Sequence, residues 1–185
     1  MTALWLGMIT AIILFWAVGA HNRLMRLRAA VRDQWLNIDA TCIKLIAPLQ
    51  GNLAAHLEQA SEGDVRSRAE QLRQACDEMI DALTQAHQRS LDADALQRVL
   101  TTHQRLVDLA HHALALDGHS AWPELVHMQL RMWQSLPAVV GQYHAAVKSY
   151  HEAIEAWPAR WLARRTGLSP VRRLDEMVAG LELAP

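Results

Sequence analysis

An apolar run without one charged side chain extends from Thr2 to Ala20 and limits what the N-terminus can become. At 1.5 Å per residue, such a helix spans roughly 28 Å, close to the ~30 Å hydrocarbon core of a bilayer. A helix satisfies its own backbone polar groups and can therefore remain in lipid. Trp5 and Trp16 lie toward opposite ends of the run, where indole favours the water boundary. The run predicts a membrane anchor over residues 1–20, with lipid as its partner.

Basic residues follow this anchor, beginning with Arg23, Arg26 and Arg28. Under the positive-inside rule, this asymmetry places the C-terminal side in the cytoplasm. The same asymmetry favours a retained anchor over a cleaved signal peptide, whose first residues would include Lys or Arg. Cleavage after Ala20 remains the alternative, because Val18, Gly19 and Ala20 have the small side chains that a signal peptidase requires.

The rest of the chain favours helix, because Gly (8) and Pro (6) are few and β-branched runs are scarce. Apolar residues recur at steps of three and four in four segments, as on helices that pack face to face. The stripes begin with Leu24, Val65, Leu96 and Leu125, and the fourth extends to Trp157. Short turns join the segments, so they predict an all-α fold: an N-terminal transmembrane helix followed by an antiparallel up-down helical bundle over residues 21–158.

Several residues mark the expected helix ends. Pro48 is expected to bend or end the first bundle helix, and Pro137 should bend the fourth. Asp64 is a candidate N-cap for the second helix, and Ser90 and Asp92 are candidates for the third. Trp157 precedes a proline and should close the fourth helix.

Residues 159–185 form a basic C-terminal tail in which arginines alternate with apolar side chains. The tail either caps the bundle end or lies on anionic lipid near the anchor, where each basic residue contributes about 1 kcal/mol. Gly167 and Pro170 interrupt any long amphipathic helix, so capping is favoured.

Two stretches of the sequence resemble signatures of the LemA family. The first stretch is His21-Asn22-Arg23-Leu24 with Val31, Trp35, Asn37, Ile38 and Asp39. The second is Tyr143-His144, Val147, Tyr150-His151, Ile154 and Trp157-Pro158, followed by Ala163, Gly167 and Pro170. The resemblance implies a bundle on one transmembrane helix in a bacterial membrane protein, with a role in membrane organisation more than catalysis. His144 and His151 stand where the family has asparagines.

His144, Lys148, His151 and Glu155 share one face of the fourth helix, since seven residues make almost two turns. One interpretation is an interaction face for a protein partner or for self-association. The other is a boundary face whose imidazoles hydrogen-bond a neighbouring helix or water.

No residue pattern in the chain predicts catalysis, a cofactor or a metal site. His103 lies in an apolar stripe, as a core histidine would, and Asp108 with His112 lacks any H-E-x-x-H or repeated E-x-x-H context. Cys42 and Cys76 lie on apolar faces and are expected to be buried thiols. The sequence has no Gly-rich phosphate loop, and its net charge of -1 provides no field for nucleic acid. We therefore expect a non-enzymatic protein, and the sequence identifies no small-molecule substrate.

The leading hypothesis is a single-pass inner-membrane protein that presents a cytoplasmic bundle as a protein-interaction or membrane-organising scaffold. The alternative is a periplasmic ligand- or metal-binding helical bundle that is released by cleavage after Ala20. The two hypotheses differ in compartment, which decides the partners that the bundle can meet.

Overall fold

The computed structural model describes residues 2–59, 63–117 and 122–179. Within these ranges the chain is helical and contains no strand. The helices in chain order are α1 (Thr2–Gln59), α2 (Asp64–Gln88), α3 (Ala93–Asp117), α4 (Pro123–Glu155), α5 (Ala159–Arg165) and α6 (Glu176–Ala179). The all-α prediction is confirmed, with a long, initially apolar helix followed by the other helices of a bundle.

α1 is one uninterrupted helix of 58 residues, so the predicted anchor and the first bundle helix are continuous. At 1.5 Å per residue, its length is about 87 Å. The helix passes through Pro48 and ends at Gln59, so the proline does not end it. Leu45 and Leu49, on either side of this proline, are buried in the core. Their packing stabilises the helix although Pro48 lacks a backbone donor.

Polar contacts between the helices show that α1, α2 and α3 run in alternating directions. The contacts that join α1 to α2 are Asp39–His87 and Gln50–Asp77. The contacts that join α2 to α3 are Gln85–Arg98 and Glu78–Arg105. In each pair of helices the residue numbers rise on one helix as they fall on the other. α1 also packs along α4, and the early part of α1 lies beside Ala153 near the end of α4, so these two helices are antiparallel as predicted.

The predicted apolar stripes meet in one hydrophobic core, in which Trp35 and Tyr143 are fully buried. Two stripe members lie outside it, because Val65 is 44% exposed and Trp157 is 88% exposed. The chain leaves helical geometry at Ala156, whose ψ is 132°. The helical period therefore no longer applies to Trp157, and its predicted core position is wrong.

The predicted helix caps have different outcomes. Asp64 is the first residue of α2, where Gly63 occupies the N-cap position without a side-chain hydrogen bond, so the N-cap prediction for Asp64 is wrong. Gly63 has a φ of 156°, which glycine adopts at little cost. At α3 the prediction is confirmed for Asp92, whose Oδ1 accepts the Ala95 N–H at 3.0 Å. It is wrong for Ser90, whose hydroxyl donates to the His87 carbonyl near the end of α2.

The C-terminal tail packs against the bundle as far as the structure describes it. Leu168, Val171, Leu174 and Met177 are buried in the same core as the long helices. α5 contacts α1 and α4, while α6 contacts α3 and α4. This part of the tail therefore caps the bundle, as the capping interpretation expects.

Candidate membrane interface

The N-terminal part of α1 lies outside the core with apolar side chains exposed on every side. Leu4, Ile12 and Phe15 are 79%, 59% and 85% exposed. In the described ranges, α1 is the one helix that is long and apolar enough to cross a membrane. Apolar surface left in water costs about 25 cal/mol per Å², so lipid is the favourable environment for a helix exposed in this way.

The predicted anchor residues lie on the surface of α1. Trp5 and Trp16 are 62% and 41% exposed. Arg23 and Arg26 are exposed, while Arg28 is partly buried against the bundle. Arg23 lies about 5 Å beyond the apolar run along the helix, at the depth where lipid headgroups would begin.

A second pair of exposed aromatic side chains comes from the distant end of the sequence. Trp157 and Trp161 are 88% and 67% exposed. Trp157 lines an apolar groove together with Phe15, Trp16 and Arg23 of α1, so it lies beside the end of the apolar run. Exposed indoles at this position match the aromatic belt of membrane proteins.

The segments that meet at this groove lack acidic residues. Neither residues 1–32 nor residues 156–174 contain Asp or Glu. Arg160 and Arg165 of α5 are exposed, and the Arg165 guanidinium lies 5.6 Å from the centroid of the Trp161 ring. A guanidinium over an indole face gains cation–π attraction. This end of the bundle therefore offers positive charge and aromatic rings to anionic headgroups.

Two residues of the predicted interaction face bind the chain's own C-terminal segment. The Leu174 N–H donates to His144 Nε2 at 3.0 Å, and the Val171 N–H donates to His151 Nε2 at 3.0 Å. Both imidazoles thus act as acceptors from the backbone. This matches the boundary-face interpretation, in which each histidine satisfies a neighbouring element.

The tyrosines that precede these histidines bind the same segment. Tyr143 Oη donates to the Arg172 carbonyl at 2.7 Å, and Tyr150 Oη donates to the Ser169 carbonyl at 3.1 Å. The four side chains form two Tyr-His pairs, seven residues apart. We call this set the Tyr-His latch: Tyr143, His144, Tyr150 and His151. It fixes the tail to α4.

The remaining two residues of the predicted face are exposed. Lys148 lies 4.0 Å from Glu152 on the next turn, with 74% of its side chain exposed. Glu155 is exposed at the last residue of α4. The predicted face is therefore divided, with histidines turned toward the tail and charged side chains turned toward solvent.

Burial lowers the pKa of two histidines. For His144, desolvation is the largest cause, opposed by the Asp175 carboxylate and assisted by the Arg173 guanidinium. Desolvation lowers the pKa of His103 to about 4. His103 is 1% exposed, and its Nε2 has no hydrogen-bond partner. Both side chains are thus neutral at pH 7.

The core shows no constellation for metal binding or thiol chemistry in the described part of the chain. No group of three His, Cys, Asp or Glu side chains could hold an ion there. His112 Nδ1 instead donates to the Asp108 carbonyl at 2.7 Å. Cys42 and Cys76 are free and buried, as predicted, and desolvation raises the pKa of each thiol to about 12.

No family model, curated protein or solved structure matches this chain. The LemA resemblance therefore stays a prediction from two sequence stretches. The structure gives the residues of these stretches defined positions, since Leu24, Trp35, Tyr143 and Tyr150 are buried where α1 and α4 contribute to the core.

Proposed function

We propose that the chain is a single-pass protein of a bacterial inner membrane and that it presents its bundle to the cytoplasm as a protein-interaction or membrane-organising scaffold. One observation carries the proposal: α1 is apolar and exposed at its start, and the same helix continues as a buried member of the bundle. A continuous helix transmits its position and tilt from the bilayer to the bundle, which a flexible linker would not. This role requires no catalytic residue or cofactor.

The length of α1 also suits a scaffold. From Ala20 to Gln59 the helix rises about 58 Å at 1.5 Å per residue. Each surface of the bundle is therefore held at a defined height above the membrane. A partner bound to such a surface would be positioned with respect to the bilayer.

The arginines support the cytoplasmic orientation. Arg23, Arg26 and Arg28 follow the apolar run directly, and α5, which contacts α1, carries further basic residues. Positive charge next to a spanning helix favours the cytoplasmic side. The resemblance to the LemA family supports the same layout.

A C-terminal reporter that is active only in the cytoplasm tests the orientation. The proposal predicts that the reporter is active when it is fused to the full chain. N-terminal sequencing of the mature protein should also show that the first twenty residues are retained. A mature N-terminus at His21 would instead support the periplasmic ligand- or metal-binding bundle.

Photo-crosslinking in intact membranes tests the scaffold role. A photoreactive amino acid at Ala145, which is exposed about one turn before Lys148 on α4, should give a reproducible crosslink to a second copy or a partner protein. The double variant Lys148→Glu with Glu155→Lys should weaken this crosslink, while Lys44→Glu on exposed α1 surface should not. Monomer as the sole product would contradict the proposal.

A further inference from the structure

A second groove, lined by both polar and apolar residues, lies beside the apolar one at the same end of the bundle. Three parts of the chain line it: α1 between residues 25 and 32, the turn at residues 88–93 between α2 and α3, and residues 169–172. Its volume is about 800 Å³. Four arginines line the groove: Arg28, Arg32, Arg89 and Arg172.

The positive charge of this groove is not balanced by the described chain. Asp92 is the one carboxylate in the lining, and its Oδ1 already accepts the Ala95 N–H at 3.0 Å. Arg172 reaches Glu176 at 3.3 Å. The lining arginines that form no ion pair in the described ranges are Arg28, Arg32 and Arg89. Guanidinium groups that line one groove repel one another, and an anion bound among them relieves this repulsion.

The backbone that carries these arginines is held in place. The tyrosines of the Tyr-His latch donate to the carbonyls of Ser169 and Arg172, both of which line the groove. In the turn, the Asp92 N–H donates to the Arg89 carbonyl at 3.0 Å. Leu91 has a φ of 69°, a left-handed conformation that is unfavourable for a residue with a side chain. Strained backbone of this kind is concentrated at binding sites.

We propose that this groove binds the phosphate group of a larger anion. Planar guanidinium groups bind phosphate oxygens in pairs, with charge-assisted hydrogen bonds. The phosphate could belong to an anionic phospholipid headgroup or to a soluble anion. Arg28 lies about 12 Å beyond Ala20 along α1, which is about 5 Å outside a headgroup layer of about 5–7 Å. A long arginine side chain can extend across that distance toward a headgroup, and a soluble anion can enter the groove from water. The site goes beyond the scaffold role and does not rest on it.

The first arm of the test uses pyrophosphate as a soluble probe, titrated calorimetrically into the full chain in uncharged detergent micelles. We expect saturable binding that weakens as salt is added. Arg32→Gln and Arg89→Gln should each lower the affinity at least about tenfold, because each removes a charge-assisted hydrogen bond. Arg131→Gln is the matched control, since Arg131 is exposed on α4 about 36 Å from the end of that helix at Glu155.

The second arm compares the full chain in nanodiscs of phosphatidylcholine alone and of phosphatidylcholine with phosphatidylglycerol. If the headgroup is the ligand, amide hydrogen exchange in the turn at residues 88–93 slows in the anionic discs. Arg32→Gln and Arg89→Gln should remove this protection, and Arg131→Gln should keep it. Circular dichroism of each variant verifies that the helices remain folded.

The two arms separate the sources of the phosphate. Pyrophosphate binding that depends on Arg32 and Arg89 supports a soluble ligand, and protection in anionic discs alone supports a lipid headgroup. Neither response, or a response that the control variant loses equally, overturns the proposal. The detergent arm requires no bilayer, so its outcome is independent of the scaffold role.

Discussion

The Leu174 N–H donates to Nε2 of His144 at 3.0 Å, so a neutral imidazole holds the tail on α4. The other ring nitrogen, Nδ1, lies 3.6 Å from the Asp175 carboxylate, which suits the tautomer with its proton on Nδ1. A proton on Nε2 would turn this acceptor into a second donor facing an N–H group. The hydrogen bond between the Leu174 N–H and His144 therefore forms only when the imidazole is neutral.

Acid is expected to destabilise the bundle, because burial lowers the folded-state pKa of both His103 and His144. The unfolded chain, with imidazole pKa values of about 6.5, binds protons first as the pH falls. The contribution of these histidines to the free energy of unfolding is thus fully present above about pH 6.5. It decreases as the pH falls toward the folded-state pKa, which for His103 is about 4. This gap of about 2.5 pH units corresponds to roughly 3 kcal/mol for His103. Urea unfolding between about pH 7 and pH 4 measures the loss.

His103→Leu is the control for this pH dependence, because leucine fills a similar volume in the core and has no titrating group. We expect little change in the free energy of unfolding at neutral pH, where His103 is already neutral. Between about pH 7 and pH 4, the variant should lose less free energy of unfolding than the unmodified chain. The difference should be most of the roughly 3 kcal/mol assigned to His103. An acid response equal to that of the unmodified chain would contradict the assignment to His103.

Loss of a latch hydroxyl is expected to loosen the tail. Tyr143→Phe leaves the Arg172 carbonyl without its donor and should lower the free energy of unfolding by about 1–2 kcal/mol. Amide exchange at Leu174 should accelerate in the same variant. Ser149→Ala, at an exposed position of α4, is the control and should change neither quantity. Unaltered exchange at Leu174 would show that the hydrogen bond from Tyr143 to the Arg172 carbonyl does not hold the tail.

The stripes of the four long helices could be predicted from sequence because burial on a helix follows a 3.6-residue period. The latch could not, because its acceptors and donors belong to the backbone of a segment without that period. The same two histidines at heptad spacing therefore left both an interaction face and a boundary face open, and the sequence did not identify the segment that they bind. The one available signal was the repeat of a Tyr-His pair, at Tyr143 and Tyr150, which points to two equivalent contacts.

Pairing across distant parts of the chain was equally hidden from the sequence. Asp39 is 5% exposed, and its Oδ2 accepts a hydrogen bond from His87 Nδ1 at 2.9 Å. These residues lie on different helices, so the spacing of residues within one helix could not predict that they pair. The exposure of Trp157 could not be predicted for another reason. Ala156, just before it, has an extended backbone, so the helical period no longer determines where the Trp157 side chain lies.

Removal of His87 is expected to destabilise the bundle more than its exposed position suggests. His87→Ala leaves the buried Asp39 carboxylate without its partner and should cost about 1–3 kcal/mol. His112→Ala is the control, because that exposed imidazole donates to its own helix backbone. A double-mutant cycle with Asp39→Ala should show non-additive losses. Additive losses would show that the two residues are not coupled.

Replacement of the proline inside α1 is expected to stabilise the protein. Pro48 is exposed, so Pro48→Ala removes no core packing and restores a backbone donor. The free energy of unfolding should rise by up to about 3 kcal/mol, the usual cost of a proline in a helix interior. Thermal unfolding followed by circular dichroism measures the gain, and a lower midpoint would indicate that α1 needs the proline.

Retention of the first helix in the bilayer is the claim on which the anchored architecture depends. The most direct measurement is alkaline carbonate extraction of native membranes that contain the full chain, followed by intact-mass analysis. We predict that the protein stays in the membrane pellet with residues 2–20 attached, because no charged group in that segment has to be desolvated. Release of the intact chain into the supernatant, or a mature form that begins at His21, would contradict the account.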